Sequence, residues 1–167
     1  VTAPLRDPIN RVSKNAIKLW MLESFIGFVV MVGGALLLSR WLSGRDWAWV
    51  PEWIDWLPIA TAAVVGPLGV LEPIKRYAVH RWELSNDVVY ARSGWIGKKW
   101  VFVPVSRIQT VDKEQGVMER LFGLATVEIR TASYAGSSSI KGLDYTVAAS
   151  LAGTLAQRAE ALRDDAT

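Results

Sequence analysis

LWMLESFIGFVVMVGGALLLSRWL, residues Leu19 to Leu42, is the stretch that decides the fold. Between Glu23 and Arg40 it runs for sixteen residues, Ser24 to Ser39, without a charge. A second block, WLPIATAAVVGPLGVLEPIKRYAV, Trp56 to Val79, repeats the pattern, with sixteen uncharged residues between Asp55 and Glu72. Both are apolar on every face, and neither carries the polar stripe of a helix lying on a soluble core. Sixteen residues at ~1.5 Å each reach roughly 24 Å; Trp20 to Leu22 and Trp41 to Leu42 bring the first block to a full bilayer span. The second is shorter and holds Gly66-Pro67 at its middle, which a membrane helix tolerates when neighbours re-satisfy the freed backbone. A cleaved signal peptide fits poorly, because the apolar run is too long and SRWLSG offers no small-residue cleavage site. The pattern predicts a transmembrane hairpin over residues 17–79, with spans at about 19–42 and 56–76.

Basic residues orient the hairpin. Arg6, Arg11, Lys14 and Lys18 precede the first span, and Lys75, Arg76 and Arg81 follow the second. The connecting segment holds only Arg40 and Arg45, against Asp46, Glu52 and Asp55. Positive charge stays on the cytoplasmic side, so a multi-pass membrane protein with both termini cytoplasmic is expected. The outer segment is rich in tryptophan. Five of the chain's nine, Trp41, Trp47, Trp49, Trp53 and Trp56, fall within it. They read as a membrane-interface belt, their indoles at headgroup depth. Glu23 and Glu72 lie at the cytoplasmic ends of the spans beside Lys18, Lys75 and Arg76, and read as interfacial ion-pair partners. Small residues that let helices approach, Ala62, Gly66 and Gly69 on one span and Gly27, Gly33 and Gly34 on the other, serve contacts within the hairpin or between copies.

Composition removes several chemistries. With no cysteine there are no disulfides, thiolate metal sites or cysteine nucleophiles, and one histidine, His80, leaves little for a metal site or a triad. No P-loop, G-x-S-x-G or H-E-x-x-H is present. The net charge of +3 does not argue for nucleic acid. No enzyme, metal or cofactor is expected.

From His80 onward the texture changes to short alternating runs broken by turns. Strands are predicted up to Leu84, over Val88–Arg92, Lys98–Val103, Ile108–Glu114, Ala125–Thr131 and Ser137–Lys141. GVMERL, Gly116 to Leu121, reads as a helical turn. Asp144 then caps a C-terminal helix with Val147, Leu151, Leu155 and Leu162 on its apolar face. The expected architecture is α+β: a cytoplasmic N-terminal segment (1–16), the hairpin (17–79), and an antiparallel β-barrel closed by a helix (80–167).

One segment of this half, VPVSRIQTVDKEQGVMERLFGLATVEIRTA, Val103 to Ala132, resembles the bacterial PH domain family of YdbS-like membrane proteins. The residues carrying the likeness are Val103-Pro104, Arg107-Ile108-Gln109, Gln115-Gly116, Arg120, Phe122-Gly123-Leu124-Ala125 and Thr131-Ala132, preceded by Trp82 and Leu84. It covers about residues 75–160, and two helices ahead of the domain extend it loosely over the chain. The resemblance implies a PH-like barrel on the cytoplasmic face of a bacterial membrane, no established reaction, and a scaffold or interaction module that forms homo-oligomers. The motif residues are read as mainly structural. Gly116 and Gly123 bracket the helical turn, Leu121, Phe122 and Leu124 pack inward, and Arg107 and Arg120 either pair with Asp112, Glu114 or Glu119 or contact a ligand.

Two functions compete. In the first, the chain is a scaffold associating with itself or another membrane protein, with the lipid bilayer as its other partner. In the second, Arg92, Lys98, Lys99 and Arg107 bind anionic lipid headgroups, since no acid lies between Asp87 and Asp112 and WIGKKW sets two lysines between tryptophans. Against the second, residues 80–167 carry eleven Lys and Arg with ten Asp and Glu, and the hairpin also reads as solvated, with Trp95 packed across from Trp100.

Overall fold

Two long helices account for the apolar blocks: α1, Asn15–Ser43, and α2, Leu57–Val79. At ~1.5 Å per residue they measure roughly 43 and 35 Å. A short 3-10 turn, Glu52–Trp56, leads into α2. Pro67 and Pro73 lie inside α2, which continues through both. The computed structural model describes residues 7–45, 50–85, 87–94, 96–131 and 137–164. Two compact units result, one of Val1–Leu19 with Lys75–Thr167, the other of Trp20–Ile74.

In the second unit the helices meet at the small residues. A Cβ on Gly66 would touch the Phe28 ring at 3.6 Å, and one on Gly69 would touch Ser24 Cβ at 3.6 Å. Gly27, Gly33 and Gly34 meet nothing. The apolar side chains point outward: Leu37 is 73% exposed and Val30 67%. In the most apolar eighteen residues of either helix nothing is buried, unlike the core helix of a soluble protein.

Among its described residues the first unit has seven strands and two further helices. The strands are β1, Asn10–Arg11; β2, Arg81–Ser85; β3, Val88–Ser93; β4, Lys99–Pro104; β5, Ile108–Glu114; β6, Leu124–Thr131; and β7, Ser137–Asp144. The helices are α3, Val117–Leu121, and α4, Tyr145–Asp164. All pairings are antiparallel, in the orders β1-β2-β3-β4 and β5-β6-β7. The expected closed barrel is therefore replaced by two separate sheets. The break falls between β4 and β5. Pro104 has no N–H to give to a ladder, and the 3-10 turn Val105–Arg107 redirects the chain there. α4 covers the gap by packing on β5, β6, β7 and that turn. Leu151 and Leu155 are buried on its inner face with Ala148 and Ala159, while Val147 and Leu162 are half-buried. They meet a core that includes Val105, Ile108, Leu124, Val127, Ile129 and Leu143. Each fully buried aliphatic side chain contributes ~1.5–3 kcal/mol.

The N-terminal segment departs from the sequence boundaries. Residues 7–19 belong to the same unit as residues 75–164. β1 pairs with β2 through Asn10 opposite Trp82 and Arg11 opposite Arg81. Val12, ahead of α1, and Ala16 and Leu19, on one face of it, are buried. The backbone is held too. Ser13 N–H donates to Gly142 O at 2.8 Å, Ser13 Oγ–H to Asp144 Oδ1 at 2.7 Å, and Asn15 Nδ2–H to Phe122 O at 3.3 Å. The Gly142 carbonyl is available because of a bulge: Ala125 faces Leu143 and Val127 faces Ile140, so Lys141 and Gly142 together oppose Thr126. Gly142 has φ +76° there, a left-handed backbone that a side chain strains. Gly142→Val is expected to destabilise the full chain by about 1–2 kcal/mol, read as a lower thermal midpoint in detergent.

Candidate functional site

The last carbonyls of any helix lack intrahelical donors, and in α2 they are taken by one side chain from the sheet. Arg92 on β3 donates from Nε to Val79 O at 2.9 Å, with a second nitrogen 3.5 Å from Ala78 O. Its guanidinium also forms a salt bridge with Asp7. A cation at the negative end of the helix dipole is favourable, and Arg92 is only 8% exposed. The Asp7 carboxyl is held below its usual value, first by the hydrogen bond from Arg92, with Trp100 and the charge of Arg81 adding to it and desolvation opposing. Trp100 Nε1 lies 3.5 Å from Asp7 Oδ1. His80, just past the helix, shares the Arg76 carbonyl with its own backbone N–H, its Nδ1 at 2.8 Å. Burial lowers the His80 pKa, and the charges of Arg76 and Lys141 push the same way against that hydrogen bond, so the ring is neutral at pH 7.

Register then sets a row across the first sheet: Arg11 opposite Arg81, Arg81 opposite Arg92, Arg92 opposite Trp100. Tyr77, from the last turn of α2, places its ring 6.0 Å from the Arg11 guanidinium. The next row is Glu83, Tyr90 and Phe102. Glu83 Oε2 accepts the Ile9 N–H at 3.1 Å, and the Tyr90 and Phe102 rings meet edge to face at 5.2 Å.

The four cations expected to bind headgroups are not brought together. Arg92 is buried and engaged as described. Lys98 and Lys99 are exposed at the β3–β4 tip, beside Ile96, which is 83% exposed. Arg107 is exposed on the 3-10 turn at the opposite end of β4, about 17 Å of strand away at ~3.4 Å per residue. The tip itself is tight: Gly94 has φ +107°, and a Cβ there would lie 1.8 Å from Gly97 O. Trp95, the partner expected for Trp100, lies outside the described residues.

Several motif residues make contacts that hold the fold. Pro104 ends β4, and Gln109 is exposed at the register shift in β5. Gln115 donates to Leu124 O at 2.7 Å, tying the end of β5 to the start of β6. Glu119 accepts the Gly116 N–H at 2.9 Å and the Thr126 hydroxyl at 2.7 Å. Gly123 has φ +66° after α3, the usual glycine end of a helix, and its carbonyl accepts the Tyr145 N–H at 3.0 Å. Leu124 is buried and Phe122 half-buried, but Leu121 is 71% exposed, beside Val117 at 81%. The inward packing expected of Leu121 is thus overturned, because a helix of five residues turns only one face to the sheet and Leu121 is on the other. Arg107 and Arg120 are exposed and form no ion pair among the described residues; Asp112 instead lies 3.8 Å from Arg130.

In the Trp-rich segment, Trp41, Trp53 and Trp56 are each at least half exposed. The Arg45 guanidinium sits 4.1 Å from the Trp41 ring, and Ser43 Oγ–H donates to Asp55 at 2.7 Å. Trp47 and Trp49 lie outside the described residues. A groove of about 380 Å³ runs between α1 and α2, lined by Met21, Phe25, Phe28, Val65, Gly66 and Gly69 among others. Among the described residues no three His, Asp or Glu side chains cluster as metal ligands would.

This geometry agrees with the comparisons. Residues 16–159 match the bacterial PH domain family. The chain belongs to that family. It is also 29% identical to the UPF0699 transmembrane protein YdbS of Bacillus subtilis (strain 168), over 95% of this chain and 98% of that one. No solved structure matches it. The bacterial PH domain match begins at Ala16, inside the turn of α1 that docks on the sheets, and so takes in both apolar helices.

Sequence reasoning missed Asp7, Arg11 and Arg81 as neighbours of Arg92. No local signal joins them, because sixty-nine residues and both helices separate Arg11 from Arg81. Arg92→Met leaves two helix-end carbonyls without their donor and is expected to lower unfolding free energy by about 2 kcal/mol. Asp7→Asn gives a smaller loss with a pH signature. A folded pKa below the unfolded one adds stability above the unfolded pKa, and this is lost as pH falls through the folded value. The difference in thermal midpoint between wild type and Asp7→Asn should close over that acidic range; a constant difference rules the contact out as its source.

Proposed function

We propose that this chain is a membrane-anchored PH-like scaffold that works by associating with itself or with another membrane protein, without catalysis. The observation that carries the anchoring is the outward apolar surface of α1 and α2, with nothing buried in the most apolar part of either. The name of the Bacillus relative, a transmembrane protein similar over nearly the whole chain, supports it. Pairing of β1 with β2 supports an even number of crossings, since strands before α1 and after α2 share one sheet. The excess of Lys and Arg at those two ends supports placing that sheet in the cytoplasm. Exposed Trp53 and Trp56 suit the opposite interface. Association is supported by the unpacked glycines of α1, by exposed Val117 and Leu121 on α3, and by the free long edge of β4 among the described residues.

Because the chain has no cysteine, a single introduced one is a unique reporter. An impermeant maleimide is expected to label Val50→Cys on intact spheroplasts and Ser137→Cys only after lysis; the reverse pattern inverts the topology. A defined homo-oligomer in mild detergent, or a co-purifying membrane protein, is expected for a scaffold, and a bare monomer from native membranes counts against it.

A second reading rests on the β3–β4 tip, where an exposed Ile96 sits beside Lys98 and Lys99, a form suited to an anionic surface at about 1 kcal/mol per cation. A fluorophore attached through Ile96→Cys should shift to the blue in nanodiscs of anionic rather than neutral lipid. Lys98→Glu with Lys99→Glu should abolish the shift; an unchanged spectrum removes this reading.

A further inference from the structure

Three arginines stand in register on neighbouring strands, Arg11, Arg81 and Arg92. Directly opposed residues have Cβ atoms about 5 Å apart, and like charges there repel. A fold keeps such a row only where something offsets it. For Arg92 the offset is visible, in the Val79 and Ala78 carbonyls and Asp7. For Arg11 and Arg81 it is not. Neither has an ion pair among the described residues, and Arg81 Nε is enclosed without any hydrogen-bond partner. Among the described residues Arg11 has only the Tyr77 ring, at 6.0 Å. Two carboxylates are near the row. Asp7 feels the Arg81 charge but is bound to Arg92 and Trp100, and Glu83, one row on, receives the Ile9 N–H. Further positive charge is near the row: Arg76 in the last turn of α2, and Lys141, both of whose charges reach His80. His80 is neutral and brings no compensation.

We propose that Arg11 and Arg81 form a binding site for a phosphate group. Two guanidinium forks side by side match the several acceptor oxygens of a phosphate, each able to make paired charge-assisted bonds, and one anion between them turns the repulsion into attraction. Position selects the source of the phosphate. Arg81 is two residues beyond the end of α2, and Tyr77 is in its last turn. If α2 crosses the bilayer, which is the reading this inference rests on, both lie at headgroup depth, where tyrosine and basic side chains concentrate. The phosphate of an anionic phospholipid in the cytoplasmic leaflet is the form favoured, and a soluble phosphate is the same chemistry from the other source. The site differs from the Lys98-Lys99 tip in residues and in strand position.

The test uses the full chain purified in a neutral detergent, following its thermal midpoint as phosphatidylglycerol, phosphatidylcholine or inorganic phosphate is added. Phosphatidylglycerol is expected to raise the midpoint saturably and phosphatidylcholine to leave it unchanged. Arg11→Gln and Arg81→Gln should each weaken the apparent affinity by about tenfold or more. Without lipid, Arg11→Gln, on the exposed strand, should match or exceed the wild-type midpoint, because a repulsion has gone. An equal rise with inorganic phosphate that both variants lose keeps the site and assigns it a soluble ligand. A rise of equal size and affinity in wild type and both variants overturns the site, as does no rise with any additive. If Arg81→Gln does not fold, Arg11→Gln and Arg81→Lys carry the comparison. Alkaline carbonate extraction of the same chain separates the two ideas. Release from membranes defeats the bilayer reading, while the inorganic phosphate arm still decides the arginine pair.

Discussion

The pairing of Asn10–Arg11 with Arg81–Trp82 is the constraint on which the rest depends. Two residues ahead of one long apolar helix lie in the same sheet as two residues just past the other. It brings both helix ends into the first unit. The first turn of α1 is then held by Val12, Ala16 and Leu19 in the core and by Ser13 on Gly142 and Asp144. The last turn of α2 is held by Arg92 on its terminal carbonyls. The start of α1 and the end of α2 therefore lie beside strands of one sheet, and the first unit takes a strand from before α1 and another from after α2.

This constraint also explains the charges. A helix end needs donors for its last carbonyls, and a buried guanidinium supplies them with the sign that the helix dipole favours. Burying that cation requires an anion, and Asp7 is the one delivered when β1 joins the sheet. Arg92 looks like a surface cation in the sequence, but its work is internal. Of the four cations expected to bind headgroups, those left outward are Lys98 and Lys99 at one end of β4 and Arg107 at the other, and they form no common cluster.

The bacterial PH domain motif proves to be a joint. Gln115 bonds β6, Glu119 bonds its own helix start and Thr126, and Gly123 reverses the chain and accepts a bond from the start of α4. Between them they fix α3 and the β5–β6 and β6–β7–α4 geometry, which lets α4 close two sheets that do not meet as a barrel. Val117 and Leu121, inside the same stretch, are carried outward by that joint.

Much was legible from the residues alone. The helices follow from sixteen-residue uncharged runs, and six of the seven strands from alternation between turn residues, because both signals are local and periodic. The family follows from a motif contained in thirty consecutive residues. β1 was not legible, since two residues carry no periodicity and its partner lies seventy positions away. Neither was the open barrel, which depends on whether two strands joined at Pro104 go on to pair. β7 ran three residues past its predicted end because a bulge at Gly142 let the ladder resume. The arginine row is the clearest case. Composition and order determined that the chain has two apolar helices with cations at one end of each, whereas only the tertiary register decided that Arg11, Arg81 and Arg92 stand side by side, because strand pairing joins residues by hydrogen-bond geometry across the sheet and ignores their separation along the chain.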